Sequence, residues 1–363
     1  MVVSSQKVSC QDLQSEFPQL FSGSSGDLDR RISGVAAPAE GSPELAVFLS
    51  TPNAIQQGLA SQASVLCVPT KLKSQVELQA SSGRTFLFSP NPELAMARVI
   101  KKFFLTTPYV NRDLKGIHPS AVIMEGAEIA SGVSIGPNAF IARGVSIATG
   151  CTIGACCVVE DDAVIGEGTV LHPHVYVGHS TVIGKKCEIH AQTVIGKEGF
   201  GYAHDEKFNH FRIAHLGRVV LEDDVHIGSH VSIDRGTFGE TRICQGAKLD
   251  NQIQIGHNCS IGRNSVITSG FSVAGSTKIG ANFLAGGRAS VTGHIEICDN
   301  VQVAALSGVS KTMTTPGQYA GIPLVPLKDH IRIKAAMVHL PAMRKQLKLV
   351  LTKLGLKTEL EEE

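Results

Sequence analysis

The densest polar segment of the chain is LDNQIQIGHN, Leu249 to Asn258, which gathers Asp250, Asn251, Gln252, Gln254, His257 and Asn258. A neutral imidazole is the usual general base near neutral pH, because it ordinarily titrates at about 6.5. His257 follows a glycine, so its ring is expected to project outward from a turn. Asp250, seven residues earlier, is placed about one face back, from where it would orient that ring. Gly275 lies eighteen residues after His257. With no side chain in the way, its N–H would hold a developing oxyanion close to the base. His294 lies two spacings of eighteen beyond His257, give or take one residue, and extends the same edge.

A repeat makes eighteen a meaningful distance. An aliphatic residue returns every sixth position from Ile117 to Ile195, from Leu221 to Ile233, and from Ile243 to Val309 with one slip to Ala285. A helix would repeat at 3.6 and a single strand at 2, so a period of six means short strands separated by tight corners. Glycine often follows the aliphatic residue, as at Gly136, Gly154, Gly228 and Gly256, where it is expected to give the corner its backbone freedom. Two positions before each aliphatic residue of the first run the side chain is small. Cys151, Cys157, Cys187 and Cys259 occupy such positions and read as core filler. Three strands make one triangular coil of eighteen residues. Roughly ten coils stacked at about 4.8 Å give a prism of about 45–50 Å. The repeat breaks twice, between Ile195 and Leu221 and between Ile233 and Ile243, where loops are expected to serve a site.

The flanks differ. Leu45–Leu49, Ala63–Val68 and Thr85–Phe88 read as strands and Pro92–Phe104 as a helix, which makes residues 1–110 a small α/β domain. TTPYVNRDLKG reads as the linker to a β domain at 111–322. Residues 323–363 are expected to be mostly helical, interrupted near Pro341. The helix itself is read from about Leu327 to Leu356, and from there to Lys357 the chain carries Lys328, Arg332, Lys334, Arg344, Lys345, Lys348, Lys353 and Lys357 against Asp329 alone, a face suited to an acidic partner.

A net charge of +1 removes any bulk basic field for nucleic acid. Aromatics at 5% and 37 glycines favour β structure with frequent turns. No apolar run is long enough to span a membrane. The opening MVVSSQKVSC lacks the pattern of a signal peptide. Nine cysteines, an odd number without a CxxC pair, suit a reduced, cytoplasmic protein.

LDNQIQIGHN, AGSTKIG, VTGHIEICDN and TTPGQYAGIPL, with GKEGFGY and SIDRG in the two interruptions, make the chain resemble the UDP-3-O-acylglucosamine N-acyltransferases of lipid A synthesis. The resemblance covers the whole chain. It implies a mainly β fold: a left-handed parallel β-helix with a small N-terminal α/β domain and C-terminal α-helices. It implies transfer of a 3-hydroxyacyl chain from acyl carrier protein to the 2-amine of the sugar. His257 would be the base, Asp250 its orienting partner, the Gly275 N–H the oxyanion donor, and His294 an aid to binding. Gly199, Phe200, Gly201, Tyr202 and Asn251 would touch substrate. The N-terminal domain would bind uridine through Phe48 and Thr51, although the family's Phe-x-x-Asn-x-x-Tyr pattern here reads Phe48, Thr51, Ala54. Gly308 stands where relatives carry a bulkier residue, which implies room for longer acyl chains. Lys311, Arg332, Arg344 and Lys345 would dock the carrier protein. The family works as a homotrimer with clefts between subunits, and needs no cofactor beyond the donor's phosphopantetheine.

Three other readings compete. His174 and His179 have the spacing of a trimeric zinc carbonic anhydrase of this fold, but Asn138 stands where a third ligand is needed, and His172 and His190 do not repair it, so no metal is expected. Another acyl- or acetyltransferase acting on a nucleotide sugar is the enzymatic alternative. A non-catalytic scaffold gives no reason for LDNQIQIGHN.

Overall fold

The computed structural model describes residues 2–76, 83–105, 115–321 and 327–355. The expected linker and the exit from the repeat fall largely at 106–114 and 322–326, outside the described residues, as do Leu356 and Lys357. The chain divides into two compact units, Met1–Arg112 and Asp113–Glu363.

The first unit is built on strands β1 (Val2–Ser9), β2 (Gly23–Ser25), β3 (Arg31–Ala36), β4 (Leu45–Phe48), β5 (Val65–Pro69) and β6 (Thr85–Ser89). Their order is β1-β3-β4-β5-β6-β2, with β3 to β6 parallel and the two edge strands antiparallel. A parallel sheet is covered on both faces, so its strands read as unbroken apolar runs. One side buries Val8, Leu13, Phe48 and Leu87; the other buries Val47, Leu49, Leu66 and Phe86. The helices are α1 (Cys10–Glu16), α2 (Pro52–Ala60), α3 (Lys73–Val76) and α4 (Pro92–Val99). The helix expected over Pro92–Phe104 widens to a π turn at Ile100–Phe104. The apolar pattern does not announce α2, yet its start is written in the sequence. Thr51 caps it by accepting the Ala54 N–H at 3.2 Å, and Pro52 follows in the first turn.

The second unit is the repeat. Two-residue strands, lengthened only near the interruptions and at the end, form three parallel sheets of ten, nine and ten strands. Phe140 pairs with Val158, Val158 with Tyr176 and Tyr176 with Val194, each eighteen residues on. Aliphatic side chains from Ile135 to Val303 fill one continuous core. The slip at Ala285 is repaired two residues earlier: Phe283 is fully buried and packs edge-on against Phe271 with ring centroids 6.1 Å apart. A large residue at a usually small position offsets a small one at a usually large position.

The small inward positions do more than fill space. Cys151, Cys157 and Cys259 donate their thiols to the carbonyls of Gly166, His172 and Ala274 at 3.0–3.2 Å. Thr169, Thr193 and Thr277 donate to Gly184, Gly228 and Thr292 at 2.7–2.8 Å. Thiol and hydroxyl thus satisfy carbonyls that turn inward at the corners.

The glycine after each aliphatic residue has a different cause from the one expected. Gly136, Gly154, Gly228 and Gly256 do not have positive φ; that conformation falls two residues further on, at Asn138 (57°), Cys156 (56°), His230 (57°) and Asn258 (59°). What forbids a side chain at the glycine is the next coil. A Cβ on Gly136 would lie 2.7 Å from the Ala155 nitrogen, and one on Gly256 2.7 Å from the Gly275 nitrogen. Asparagine recurs at the positive-φ position, at 138, 258, 264, 282 and 300, because it tolerates left-handed backbone better than most residues.

Helices α5 (Leu327–Met337) and α6 (Leu340–Lys353) complete the described chain. Pro341 sits in the first turn of α6, where its missing N–H is not needed.

Burial lifts the thiols of Cys157, Cys187 and Cys259 to about 11. Only thiolate reacts, so below that pH these three stay protonated and inert. Alkylation of the native chain at about pH 8 is expected to spare them, whereas denatured chain takes label at all nine cysteines. Peptide mass spectrometry distinguishes the two, and early native labelling of Cys157 would contradict the packing described.

Candidate functional site

His257 stands at a corner just after the strand Gln254–Ile255. Its neighbour Asn258 takes the left-handed conformation and is held on every side. Its backbone N–H donates to Thr241 Oγ1 at 2.8 Å and its side-chain amide donates to the Phe238 carbonyl. Its Oδ1 accepts the Thr237 N–H at 2.9 Å. That oxygen also lies 3.1 Å from His257 Nδ1. An oxygen accepts, so Nδ1 carries the proton and Nε2 is left as a free base.

Nε2 faces Gly275. A Cβ on Gly275 would fall 2.6 Å from Nε2 and 2.7 Å from Cε1 of the His257 ring, so only glycine fits beneath it. The corner backbones are tied together, with Ser276 N–H donating to the His257 carbonyl at 2.8 Å and His294 N–H to the Gly275 carbonyl at 3.1 Å. Among the described residues the Gly275 N–H has no hydrogen-bond acceptor. Base and amide donor are therefore side by side.

Both interruptions of the repeat build a wall beside this corner. They bond to each other: Leu216 N–H to the Thr237 carbonyl and Gly217 N–H to the Gly236 carbonyl, each at 2.9 Å. Arg235, only 2% exposed, pins the start of the longer loop by donating Nε to the Gly196 carbonyl at 2.7 Å and Nη2 to the His179 carbonyl at 3.1 Å. Burial pulls this guanidinium below its ordinary pKa. The nearby Lys197 ammonium meets the buried Asp234 carboxylate at 2.5 Å. Gly196 takes φ +85° and turns its carbonyl to Arg235. By the spacing of the other inward hydroxyls that carbonyl should belong to Thr181, whose Oγ1 is left buried without a partner among the described residues.

His215 comes from the longer loop and is 2% exposed. Its ring meets the His257 ring edge to face, centroids 5.0 Å apart. Its Nδ1 donates to the Ile213 carbonyl at 2.9 Å, which leaves Nε2 as a buried lone pair without a hydrogen-bond donor among the described residues. Gly199 and Gly201 close over it: Cβ atoms there would lie 2.9 Å from Nε2 and 3.0 Å from Cε1. The glycines of GKEGFGY thus make room for an imidazole. Phe200, 83% exposed, and Tyr202 project instead, stacked edge to face at 5.2 Å.

Several expected residues lie elsewhere. Within one chain Asp250 does not orient His257: the two stand on successive corners. The Asp250 carboxylate accepts from Asn251 Nδ2 at 2.8 Å and from the Ser269 N–H at 3.1 Å. Asn258 does the orienting. Asn251 belongs to the Asp250 corner, where its Oδ1 accepts the Ser229 N–H at 2.8 Å. His294 is exposed on the His257 edge but in register with Asn258 and Ser276; Gly293 is the residue two coils above His257. Gly308 pairs with Ser290 on the sheet face that carries Gln254, and a Cβ there would meet only Ser290 Oγ, at an ordinary contact distance of 3.9 Å. Lys311, Arg332, Arg344 and Lys345 are exposed. In the first unit Phe48 is 7% exposed and packs in the core, so its ring is not free to stack on a base. Thr51 lines a crevice of about 580 Å³ with Lys71, Asn91 and Glu93, outside the carboxyl ends of β4, β5 and β6.

His215, Asn258, Thr237 and Arg235 are additions that sequence spacing does not single out. Asn258 follows His257 directly and its left-handed position was available as a signal; His215 and Arg235 sit in loops without a repeat to place them.

Coils of eighteen residues, with an oriented imidazole over a glycine at one corner, place the chain in the class of left-handed β-helical hexapeptide-repeat proteins. An Arabidopsis UDP-N-acetylglucosamine acyltransferase of solved structure shares the fold, at TM-score 0.52 and 23% identity over 68% of this chain and 86% of that one. Residues 29–102 match the family model of UDP-3-O-(3-hydroxymyristoyl) glucosamine N-acyltransferase, and residues 117–200 match that of the GMPPB C-terminal domain. The chain is 35% identical to the UDP-3-O-acylglucosamine N-acyltransferase of Herminiimonas arsenicoxydans over 89% of its own length and 91% of the relative's. It is 38% identical to that of Delftia acidovorans over 89% of both. The match to the Wolinella succinogenes protein is 45% identical and spans 45% of that relative's length. The chain belongs to the UDP-3-O-acylglucosamine N-acyltransferase family.

Gly275→Ala is expected to tilt the His257 ring away from its place while leaving the coils intact. Histidine ring resonances should show a shift at His257 with an unchanged circular dichroism spectrum. An unmoved His257 resonance would mean that the ring has slack the packing denies.

Proposed function

We propose that the chain moves a 3-hydroxyacyl chain from acyl carrier protein to the 2-amine of UDP-3-O-acylglucosamine, a step of lipid A synthesis. The observation that carries this reading is the oriented imidazole of His257, with Nε2 free above the unpaired Gly275 N–H. The amine nitrogen attacks the thioester carbonyl, and a C–N bond forms as the carbonyl π electrons move onto oxygen. The Gly275 N–H faces that oxyanion. Nε2 takes the proton from the attacking nitrogen. The C–S bond then breaks, and the proton passes from His257 to the leaving thiolate. Asn258 keeps the ring in the useful tautomer, and His215 bears on it from the side.

The first unit would hold the nucleotide. Thr51 and Lys71 at the carboxyl ends of parallel strands favour this crevice; Phe48 contributes to the core. Gly308 leaves the face beyond the site open for a long chain. The exposed Lys311, Arg332, Arg344 and Lys345 suit docking of an acidic carrier, whose phosphopantetheine would be the only prosthetic group involved. No helix of the described residues is long and apolar enough to cross a membrane. Carrier protein and nucleotide sugar both suggest the cytoplasm.

A homotrimer completes the site in this reading. Asp250 and His257 occupy different corners of one prism, so a neighbouring copy is the means of bringing an Asp250 corner to a His257 corner.

His257→Ala is expected to lower transfer to UDP-3-O-acylglucosamine by about 100-fold or more, and Asn258→Ala by about 10- to 100-fold. Wild-type chain that transfers acetyl from acetyl-CoA but nothing from the carrier would replace this reading with that of another nucleotide-sugar acyltransferase. Co-refolding His257→Ala with Asp250→Ala chains should restore activity at roughly a quarter of the sites if each site draws on two copies. No recovery from two inactive variants would confine the site to one chain.

A further inference from the structure

On another corner of the prism, away from His257, two histidines and a glutamate converge. His172 and His190 follow the strands Val170–Leu171 and Glu188–Ile189, which pair in register on successive coils. Their rings stack with centroids 4.4 Å apart and planes 13° from parallel. Glu188 reaches both: its Oε1 lies 3.0 Å from His172 Nε2 and 3.8 Å from His190 Nε2. All three donor atoms lie within 4.8 Å of one another.

We infer that His172, Glu188 and His190 form a binding site for a divalent transition-metal ion, zinc above all. Two imidazoles and a carboxylate are a donor set zinc takes readily, with water as the fourth ligand. Bond lengths of about 2.0–2.2 Å put donors around one zinc about 3.3 Å apart; because the two rings stack nearly parallel, both must tilt about their Cβ–Cγ bonds so that a nitrogen lone pair of each points at one ion. The backbone keeps the pair at one coil's rise, since His172 N–H donates to the Ile189 carbonyl at 2.8 Å and His190 N–H to the Ile227 carbonyl at 2.8 Å. Gly154 precedes His172 in this ladder and Gly228 follows His190, so no side chain from those positions covers the donors. His226 pairs in register with Glu188 on the next coil, with its Nε2 3.5 Å from Asp224 Oδ1. The ion would clip two successive coils together on their outer side. This site does not depend on the acyl transfer proposed above.

Zinc chloride titrated calorimetrically into untagged, full-length protein is expected to bind at one ion per chain. His190→Asn and Glu188→Gln should each weaken binding by about 100-fold or more, with unchanged circular dichroism. Glu188→Gln keeps the side-chain volume and guards against an effect of misfolding. Cobalt in place of zinc should show visible bands without thiolate charge transfer. Absence of saturable uptake, uptake indifferent to both substitutions, or thiolate bands from cysteine ligation would each overturn the assignment.

Discussion

The structure depends on the backbone hydrogen bonds that tie each coil to the next. A two-residue strand has no stability of its own, and it persists because a copy lies directly above and below it. Gly256 N–H donates to the Val273 carbonyl at 2.9 Å, and Ser276 N–H back to the His257 carbonyl at 2.8 Å. Such bonds turn a separation of eighteen along the chain into a contact in space. They also set how near the coils stand, which is why glycine follows the aliphatic residue and why Gly275 can lie flat beneath an imidazole. A core of branched aliphatics supplies the driving force; the ladder supplies the precision.

The site arises where that regularity is interrupted. At Cys151, Cys157, Thr169, Thr193, Cys259 and Thr277 an inward thiol or hydroxyl meets a corner carbonyl of the following coil. At Thr181 this fails, because Gly196 gives its carbonyl to Arg235. The buried guanidinium then binds the root of the long loop to the short one, and the short loop supplies Thr237 and Phe238 to hold Asn258. One broken local rule is thus followed, through Gly196, Arg235, Thr237, Phe238 and Asn258, to the proton on His257 Nδ1. An unpaired hydroxyl is a real cost, borne where the chain must leave its repeat to make something other than a prism.

Much of this was legible in the sequence. The period of six gives the three-sided coil, and the spacing of eighteen puts Gly275 against His257 without any coordinates. Periodic reasoning works for residues that the ladder positions. It fails for His215 and Arg235, which belong to excursions whose path is decided by packing and hydrogen bonds between loops. It also misplaces a partner: seven residues back from His257 is a different corner, so Asp250 turns to Asn251 and Ser269. The glycines were legible as a pattern but their cause was not, since steric exclusion by the next coil cannot be told from torsional freedom in a string of letters. In the first unit Phe48 belongs to a run of apolar residues that a doubly covered sheet demands, and the run explains it better than a ligand does.

The two loops carry a consequence for how such a chain can change in length. Val164 and Val182 are partners eighteen positions apart, whereas Val182 and Val220 are partners across 38, and Ser232 and Gln254 across 22. The surplus is twenty residues in one case and four in the other, and in both the faces above and below keep their alignment. Extra chain is extruded at a corner like slack in a wound thread. Insertions of any length are therefore admissible if they begin and end at one corner, while growth of the prism itself comes in whole turns. The corner is the place where this architecture can acquire new chemistry without rewriting its core.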